Sequence, residues 1–360
     1  MPGRPRRPQQ GDLVANEPRG FPLFYQKRRP RVVTADPWAF LSHLAVTRLA
    51  KRNENIADAY ISQGRDFFQA AQNPEFHSRP LLYYYAFLNV VKAALLIRGV
   101  PLPPRAGHGI LDPSANSRQR LRFAGQRVNI RNTTGTHSEI FPEFLRMLAY
   151  RGALPRSFRV IDLLRVVPSI HRTFTQVVPS PPIFVPVARF ELRYRRGSVW
   201  LRMRVTRTDK DVRDVLPETR RRRGFTSTFS QVESDEDHEL WFETAPVLAQ
   251  TRGIDTAIAQ LAGRVRECGV AGILTVEGYR FYLVNTPPAL FVPYLAAMYA
   301  VIFYLGSITR YKPDVFDKII SGKQSWIVEE FLTSLPMQFL YGLASELAGV
   351  DVVRPYAAVS

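Results

Sequence analysis

Two side chains in one short segment are of the types that cleave a phosphodiester. Arg131 and His137 stand with five residues between them in Arg-Asn-Thr-Thr-Gly-Thr-His. A guanidinium can hold the scissile phosphate while an imidazole moves a proton to or from the 2′-hydroxyl or the leaving oxygen. Gly135 and three threonines make the segment a poor helix, so the competing reading is a loop with a surface arginine and an unrelated histidine. His108 lies between Gly107 and Gly109. Its imidazole either ties down a tight turn or serves a ligand. Asn89 and Lys92, three apart on one helix face, could meet a bound anion. In the plainer reading the lysine snorkels and the asparagine bonds backbone.

Other chemistries find no support. The six histidines (His43, His77, His108, His137, His171, His238) share no metal-ligand spacing on one helix. Cys268 is the single cysteine, which excludes an internal disulfide and a cysteine-based zinc site. There is no G-x-G-x-x-G, P-loop, H-E-x-x-H or G-x-S-x-G. Neither a metal nor a cofactor is expected.

The charge points to a polyanion. Lys+Arg 49 against Asp+Glu 31 gives +18 over 360 residues. Seven of the cations are lysine and 42 arginine, a skew that genome composition also produces. The excess becomes local in one hairpin. Phe190, Leu192 and Tyr194 alternate with Arg193 and Arg195; after Arg196-Gly197, Val199, Leu201, Met203 and Val205 alternate with Trp200, Arg202 and Arg204. Two-residue alternation gives one apolar face and one basic face, with Arg193, Arg195, Arg202 and Arg204 within reach of successive phosphates. The other reading is that this face packs on another element or is merely solvated.

The elements that must position these groups are of mixed type. Residues 1–35 hold eight Arg/Lys and many prolines and read as a flexible basic arm. Residues 36–178 form an N-terminal helical region, with an amphipathic helix over Asn53–Gln72. In the next helix Pro80 opens, Gly99 closes, and the interior is apolar nearly all round. Val128 and Ile130 suggest a short strand, and Phe141–Tyr150 and Arg159–Arg172 look helical. Residues 179–285 are a β-rich insert with the Arg220–Arg223 loop and a second hairpin at Glu277-Gly278. Residues 286–360 return to helices that complete the bundle, over Leu290–Tyr311, Pro313–Ile320 and Gln324–Leu347. The fold class expected is α+β, predominantly helical: a bundle with an inserted β-hairpin region and buried apolar C-terminal helices.

The apolar run Leu290–Leu305 falls short of the ~20 residues a bilayer needs and contains Pro293, so a buried core helix is expected rather than a span. No apolar stretch follows the basic start of the chain, and a reducing, cytoplasmic location is expected. Arg310 is expected to cap the carbonyls at the end of its helix, with Pro313 ending it.

Several of these segments carry a family resemblance. Arg65-Asp66-Phe67-Phe68, then Arg79-Pro80-Leu81-Leu82-Tyr83-Tyr84-Tyr85 through Asn89 and Lys92-Ala93, resembles the signature block of the YaaC-like bacterial proteins. His108-Gly109-Ile110 resembles that family's His-Gly-aliphatic step, and Ser307-Ile308-Thr309-Arg310-Tyr311-Lys312-Pro313 its second block. The first helical block is similar in style to HEPN domains, and Arg131 and His137 match the loose R-x(4–6)-H signature of HEPN ribonucleases. The resemblance implies the fold more than an activity. The expected function is a non-enzymatic binding or scaffold protein whose partner is RNA or DNA, held through phosphates by Arg193, Arg195, Arg202, Arg204, Lys92 and His108. The alternative is a metal-independent HEPN-type ribonuclease using Arg131 and His137. A membrane partner is disfavoured, and a homodimer stays open.

Overall fold

The computed structural model describes residues 9–17, 31–72, 76–103, 106–114, 123–131, 139–148, 156–180, 183–206, 223–233, 239–249, 253–268, 270–275, 278–284 and 292–355. The chain opens with β1 (Asp12–Glu17) and β2 (Arg31–Val33), followed by α1 (Pro37–Arg48), α2 (Lys51–Gln72) and α3 (Arg79–Ile97). Then come β3 (Ile110–Leu111), β4 (Arg127–Ile130), α4 (Ile140–Met147), β5 (Ser157–Arg159), α5 (Val160–Arg165) and α6 (His171–Val177). The strand-rich part holds β6 (Phe184–Arg195), β7 (Ser198–Thr206), α7 (Arg223–Thr228), β8 (Phe229–Val232), β9 (Glu239–Thr244), β10 (Val247–Leu248), α8 (Ile254–Glu267), β11 (Val270–Thr275) and β12 (Gly278–Val284). The chain closes with α9 (Tyr294–Tyr311), α10 (Pro313–Ile320), α11 (Ser325–Ala348) and β13 (Asp351–Val353). The class is α+β and predominantly helical.

Two compact units divide these elements. One comprises residues 36–179 and 290–347; the other comprises 1–35, 180–289 and 348–360.

The first unit is built around α3. Its buried residues run from Pro80 to Ile97 on every side of the helix, as expected for an apolar helix inside a bundle. Gly99, at φ +77°, follows its end; the Gly99 N–H donates to Leu96 O and the Val100 N–H to Leu95 O, a Schellman stop. Neighbouring helices approach α3 at glycines. A Cβ on Gly64 of α2 would sit 3.1 Å from Ala86 O, and one on Gly306 of α9 3.1 Å from Tyr84 Cβ. α1, which composition did not reveal, is started by Asp36, whose carboxylate accepts from the Trp38 and Ala39 N–H groups. A three-stranded sheet in the order β3-β4-β5 completes the unit. Among the described residues α3 is the one helix long and apolar enough to cross a membrane, and most of it is buried within the unit. The run over Leu290–Leu305 supplies α9, which begins only after Pro293 and is likewise buried.

The second unit centres on a sheet in the order β11-β12-β6-β7-β9-β8, with β10 on β7 and β1 on β6. β6 and β7 form the expected hairpin: Arg196 (φ 47°) and Gly197 (φ 77°) make the tight turn, and Leu192 faces Leu201 in register. One face buries Phe190, Leu192, Leu201, Met203, Val205 and Phe242 against Leu261 and Val265 of α8. Cys268 is buried in this core. Within the segment expected as an arm, residues 12–17 pair antiparallel with β6 and residues 31–33 pair parallel with β13. The Arg220–Arg222 positions lie outside the described residues.

Crowding against α3 sets a stability test. Gly306→Val should destabilise by about 2 kcal/mol through overpacking against Tyr84. Gly263→Ala in α8, where a Cβ meets nothing within 4 Å, should instead stabilise by about 0.5–1 kcal/mol. Chemical denaturation measures both, and equal effects would contradict the packing described.

Candidate functional site

Three sequence segments far apart in the chain meet around Tyr84 on α3. Proline at its first turn starts α3, and the lack of polar residues forces it inside, so Tyr83 and Tyr84 are buried while Tyr85 is half-buried. His108 arrives on the loop before β3. That loop is pinned at its backbone: Gly107 O accepts the Ile140 N–H and His108 O the Phe141 N–H at the start of α4. Gly109 has φ +72°, and a Cβ there would lie 2.5 Å from Pro142 Cδ. The imidazole therefore does not secure the turn, as one sequence reading had it. It is released to meet Tyr84, with Nδ1 2.7 Å from the hydroxyl.

The third segment is α9, from Tyr299 to its end. Tyr299 lies across Tyr84 with ring centroids 6.2 Å apart, and Phe303 packs edge-on to Tyr84 at 5.4 Å. The Ser307 hydroxyl donates to Asp112 at 2.9 Å, just beyond β3. Arg310 Nη1 donates to the Tyr85 hydroxyl at 3.2 Å, and its guanidinium sits 5.0 Å from the Tyr311 ring. This corrects the expected helix cap: Arg310 is exposed and bonded to a tyrosine, while the Ile308 carbonyl takes the Lys312 backbone N–H.

The hydroxyls around His108 favour one tautomer of its ring. The Tyr299 hydroxyl is wholly buried and has no hydrogen bond of good geometry; the polar group acting on it is the Tyr84 hydroxyl. Burial pushes both phenol pKa values upward, so both are neutral donors at ordinary pH. If Nδ1 carried the proton, the run of donors would end on a buried Tyr299 O–H with no acceptor, which costs about 1–3 kcal/mol. The opposite direction, Tyr299 toward Tyr84 and Tyr84 into Nδ1, ends on a lone pair. The imidazole then carries its proton on Nε2 and offers solvent an N–H donor. Desolvation first, then the Lys92 charge, hold its pKa below 6.5, so the neutral form persists.

Lys92 lies two helical turns beyond Tyr84, 5.1 Å from the Tyr60 ring and without a carboxylate partner among the described residues; burial lowers its pKa. Asn89 bonds the Gln63 side chain of α2 at 3.0 Å rather than backbone. Arg131 is exposed at the end of β4, its backbone N–H on Gly109 O, and His137 lies outside the described residues. No group of three His, Cys, Asp or Glu suited to a metal ion occurs among the described residues.

The hairpin arginines sit elsewhere, in the strand-rich unit, and are largely neutralised. Arg193 donates to Glu191 at 2.7 Å, Arg202 pairs with Glu243 at 3.0 Å, and Arg204 pairs with Glu239. Arg202 also lies 4.5 Å from the Trp241 ring. Arg195 is exposed and donates to Gln10 O at 3.2 Å. The basic face is thus an ion-pair ladder. Glu191 was legible as its partner, because it shares two-residue parity with Arg193 and Arg195. Glu243 and Glu239 come from β9 and needed the sheet order. Tyr84 and Tyr85 were visible as members of the first family block, and Tyr299 carried no signal beyond an apolar helix.

Residues 23–347 match the model of the family described as YaaC-like protein. The chain belongs to the YaaC-like family. No curated protein and no solved structure matches it. The family blocks read from the sequence are the segments that meet here, with Tyr84, His108 and Arg310 each drawn from a different one.

The depressed histidine sets the sign of a pH effect. His108, and His171 with its Nδ1 on Pro168 O, both have pKa values below 6.5, so between those values and 6.5 the unfolded chain binds more protons than the folded one. Their contribution is complete above about pH 6.5 and is lost as pH falls through the depressed values. Melting temperature should therefore fall on acidification, and the slope should flatten in His108→Gln/His171→Gln. A variant with the wild-type slope would contradict the assignment.

Proposed function

We propose that this YaaC-like protein is a non-enzymatic binding protein for a polyanion, with RNA or DNA phosphates as the ligand class and the Tyr84–His108–Arg310 region as the site. One observation carries the reading. Arg310 and Lys92 have no carboxylate partner among the described residues and stand with a neutral imidazole that offers Nε2–H, beside the exposed ring of Tyr311 and the half-exposed ring of Tyr85. Unpaired cations supply phosphate contacts, an N–H donor supplies a third, and tyrosine faces supply stacking for bases. Arg193, Arg202 and Arg204, whose charges are met by carboxylates, contribute less than their number suggests. A cytoplasmic setting suits a binding protein whose single cysteine is buried as a free thiol.

The ribonuclease reading stands second. In its favour is the exposure of Arg131, which follows a strand. Its histidine, His137, lies outside the described residues.

Fluorescence anisotropy with a labelled single-stranded RNA oligomer provides the test. With two cations, Arg310 and Lys92, on phosphates, affinity should fall about sevenfold between roughly 50 and 200 mM salt. Arg310→Ser should weaken binding and lower the salt slope by about 0.7. Absence of binding at micromolar protein, or an unchanged slope in Arg310→Ser, would refute this site. Loss of full-length RNA without any divalent metal, abolished by Arg131→Ala, would favour the ribonuclease instead.

A further inference from the structure

The charged face of the hairpin has a cover made from the start of the chain. Across β6, β7 and β9 this face presents Arg189, Arg193, Arg195, Arg202 and Arg204 against Glu191, Glu239 and Glu243, with Trp200 opposite Arg193. Five guanidiniums against three carboxylates leave cationic surplus: Arg193 shares Glu191 with Arg189 and Arg202, and Arg195 has no carboxylate partner among the described residues. The N-terminal segment lies down at Arg193 and Arg195. Arg193 donates to Gly11 O and Arg195 to Gln10 O, both at 3.2 Å, while the Gln9 N–H donates to Glu243. Trp200, although on the polar face, is only 2% exposed. Gly11 lies against it so closely that a Cβ would stand 2.2 Å from Trp200 Cη2.

We infer that residues 9–17 are a displaceable cover over a second anion site formed by Arg193 and Arg195, whose ligand is the phosphate backbone of a nucleic acid. The two backbone carbonyls occupy positions a phosphate's oxygens would take. Guanidinium–carbonyl bonds at 3.2 Å are at the long end of the range, whereas charge-assisted bonds to phosphate shorten to about 2.7–2.9 Å. The cover is peripheral. β1 pairs only with β6, filling the half of its edge that β12 leaves open, and its register slips between Leu13 and Ala15. Its displacement loses one edge strand and exposes Trp200. Covering also lowers apparent affinity, since a site open one-tenth of the time binds about tenfold more weakly than the open site.

The site is distinct from the Tyr84–His108–Arg310 region, and full-length chains separate the two. Anisotropy with a labelled single-stranded DNA oligomer is measured alongside acrylamide quenching of Trp200, isolated by subtracting the Trp200→Phe variant. Gly11→Val, which cannot lie against Trp200, should expose the indole and tighten oligomer binding by about tenfold or more. Arg195→Ser in that background should remove the gain, with an unchanged melting curve because, among the described residues, the Arg195 side chain bonds only the cover. Saturating oligomer should also raise Trp200 quenching in the wild type. Tighter binding in Gly11→Val with none through Arg310 would uphold this site and overturn the other. Exposure of Trp200 in Gly11→Val without tighter binding, a gain that survives Arg195→Ser, or wild-type quenching unmoved at saturation would each overturn the inference.

Discussion

The burial of α3 is the constraint on which the helical unit depends. A helix apolar on every face must be enclosed, and enclosing it requires neighbours that come close. Gly64 and Gly306 permit that approach from two sides. Enclosure then decides the fate of each polar atom α3 carries. Asn89 finds Gln63, Tyr83 finds Gln72, and Tyr84 finds His108. The site is thus a consequence of packing: a buried phenol needed an acceptor, and the pinned loop before β3 supplies one. Because that acceptor is Nδ1, the outward edge of His108 becomes a donor. That donor, with Arg310 and Lys92 lacking carboxylate partners among the described residues, is what the proposed anion-binding reading rests on.

The strand-rich unit solves the opposite problem. Its sheet has one face dry on α8 and another crowded with arginines. Like charges directly opposite on neighbouring strands repel, and Arg189 faces Arg204 in register. Interleaved carboxylates relieve this: Glu191 is within 4 Å of Arg189, Arg193 and Arg202. Glu243 illustrates the balance, since burial raises its pKa while the Gln9 N–H, Arg202 and Arg193 oppose the rise. A net positive chain therefore does not imply that every arginine row is a binding face.

Local pattern and tertiary need explain what was legible. The span of α2, the start and stop of α3, both hairpins and the helical C-terminal region follow from periodicity, proline, glycine and turn chemistry, which act over a few residues. Strand β1 lay inside a proline-rich arm because its pairing depends on an open edge of β6 contributed almost two hundred residues later. β2 has three residues and needs β13 at the other end of the chain. The Asp36-Pro37 start of α1 was a readable cap, but its helix has apolar residues spread round it and so little periodic signal. His108 was singled out by its flanking glycines for the wrong reason. They serve the loop's backbone against α4, and the imidazole's partner lies 24 residues away on another element. Arg310 was likewise visible as an arginine at a helix end, whereas its partner, the Tyr85 hydroxyl, belongs to α3.

The central claim is that His108 is a neutral imidazole with its proton on Nε2, held there by Tyr84. Long-range proton–nitrogen NMR of histidine-labelled protein reads this directly, with His108→Gln assigning the signals. The account predicts a bare Nδ1 and a protonated Nε2 at neutral pH, titrating below 6.5, and a shift toward mixed tautomers in Tyr84→Phe. A proton on Nδ1, or a titration above 6.5, would contradict it.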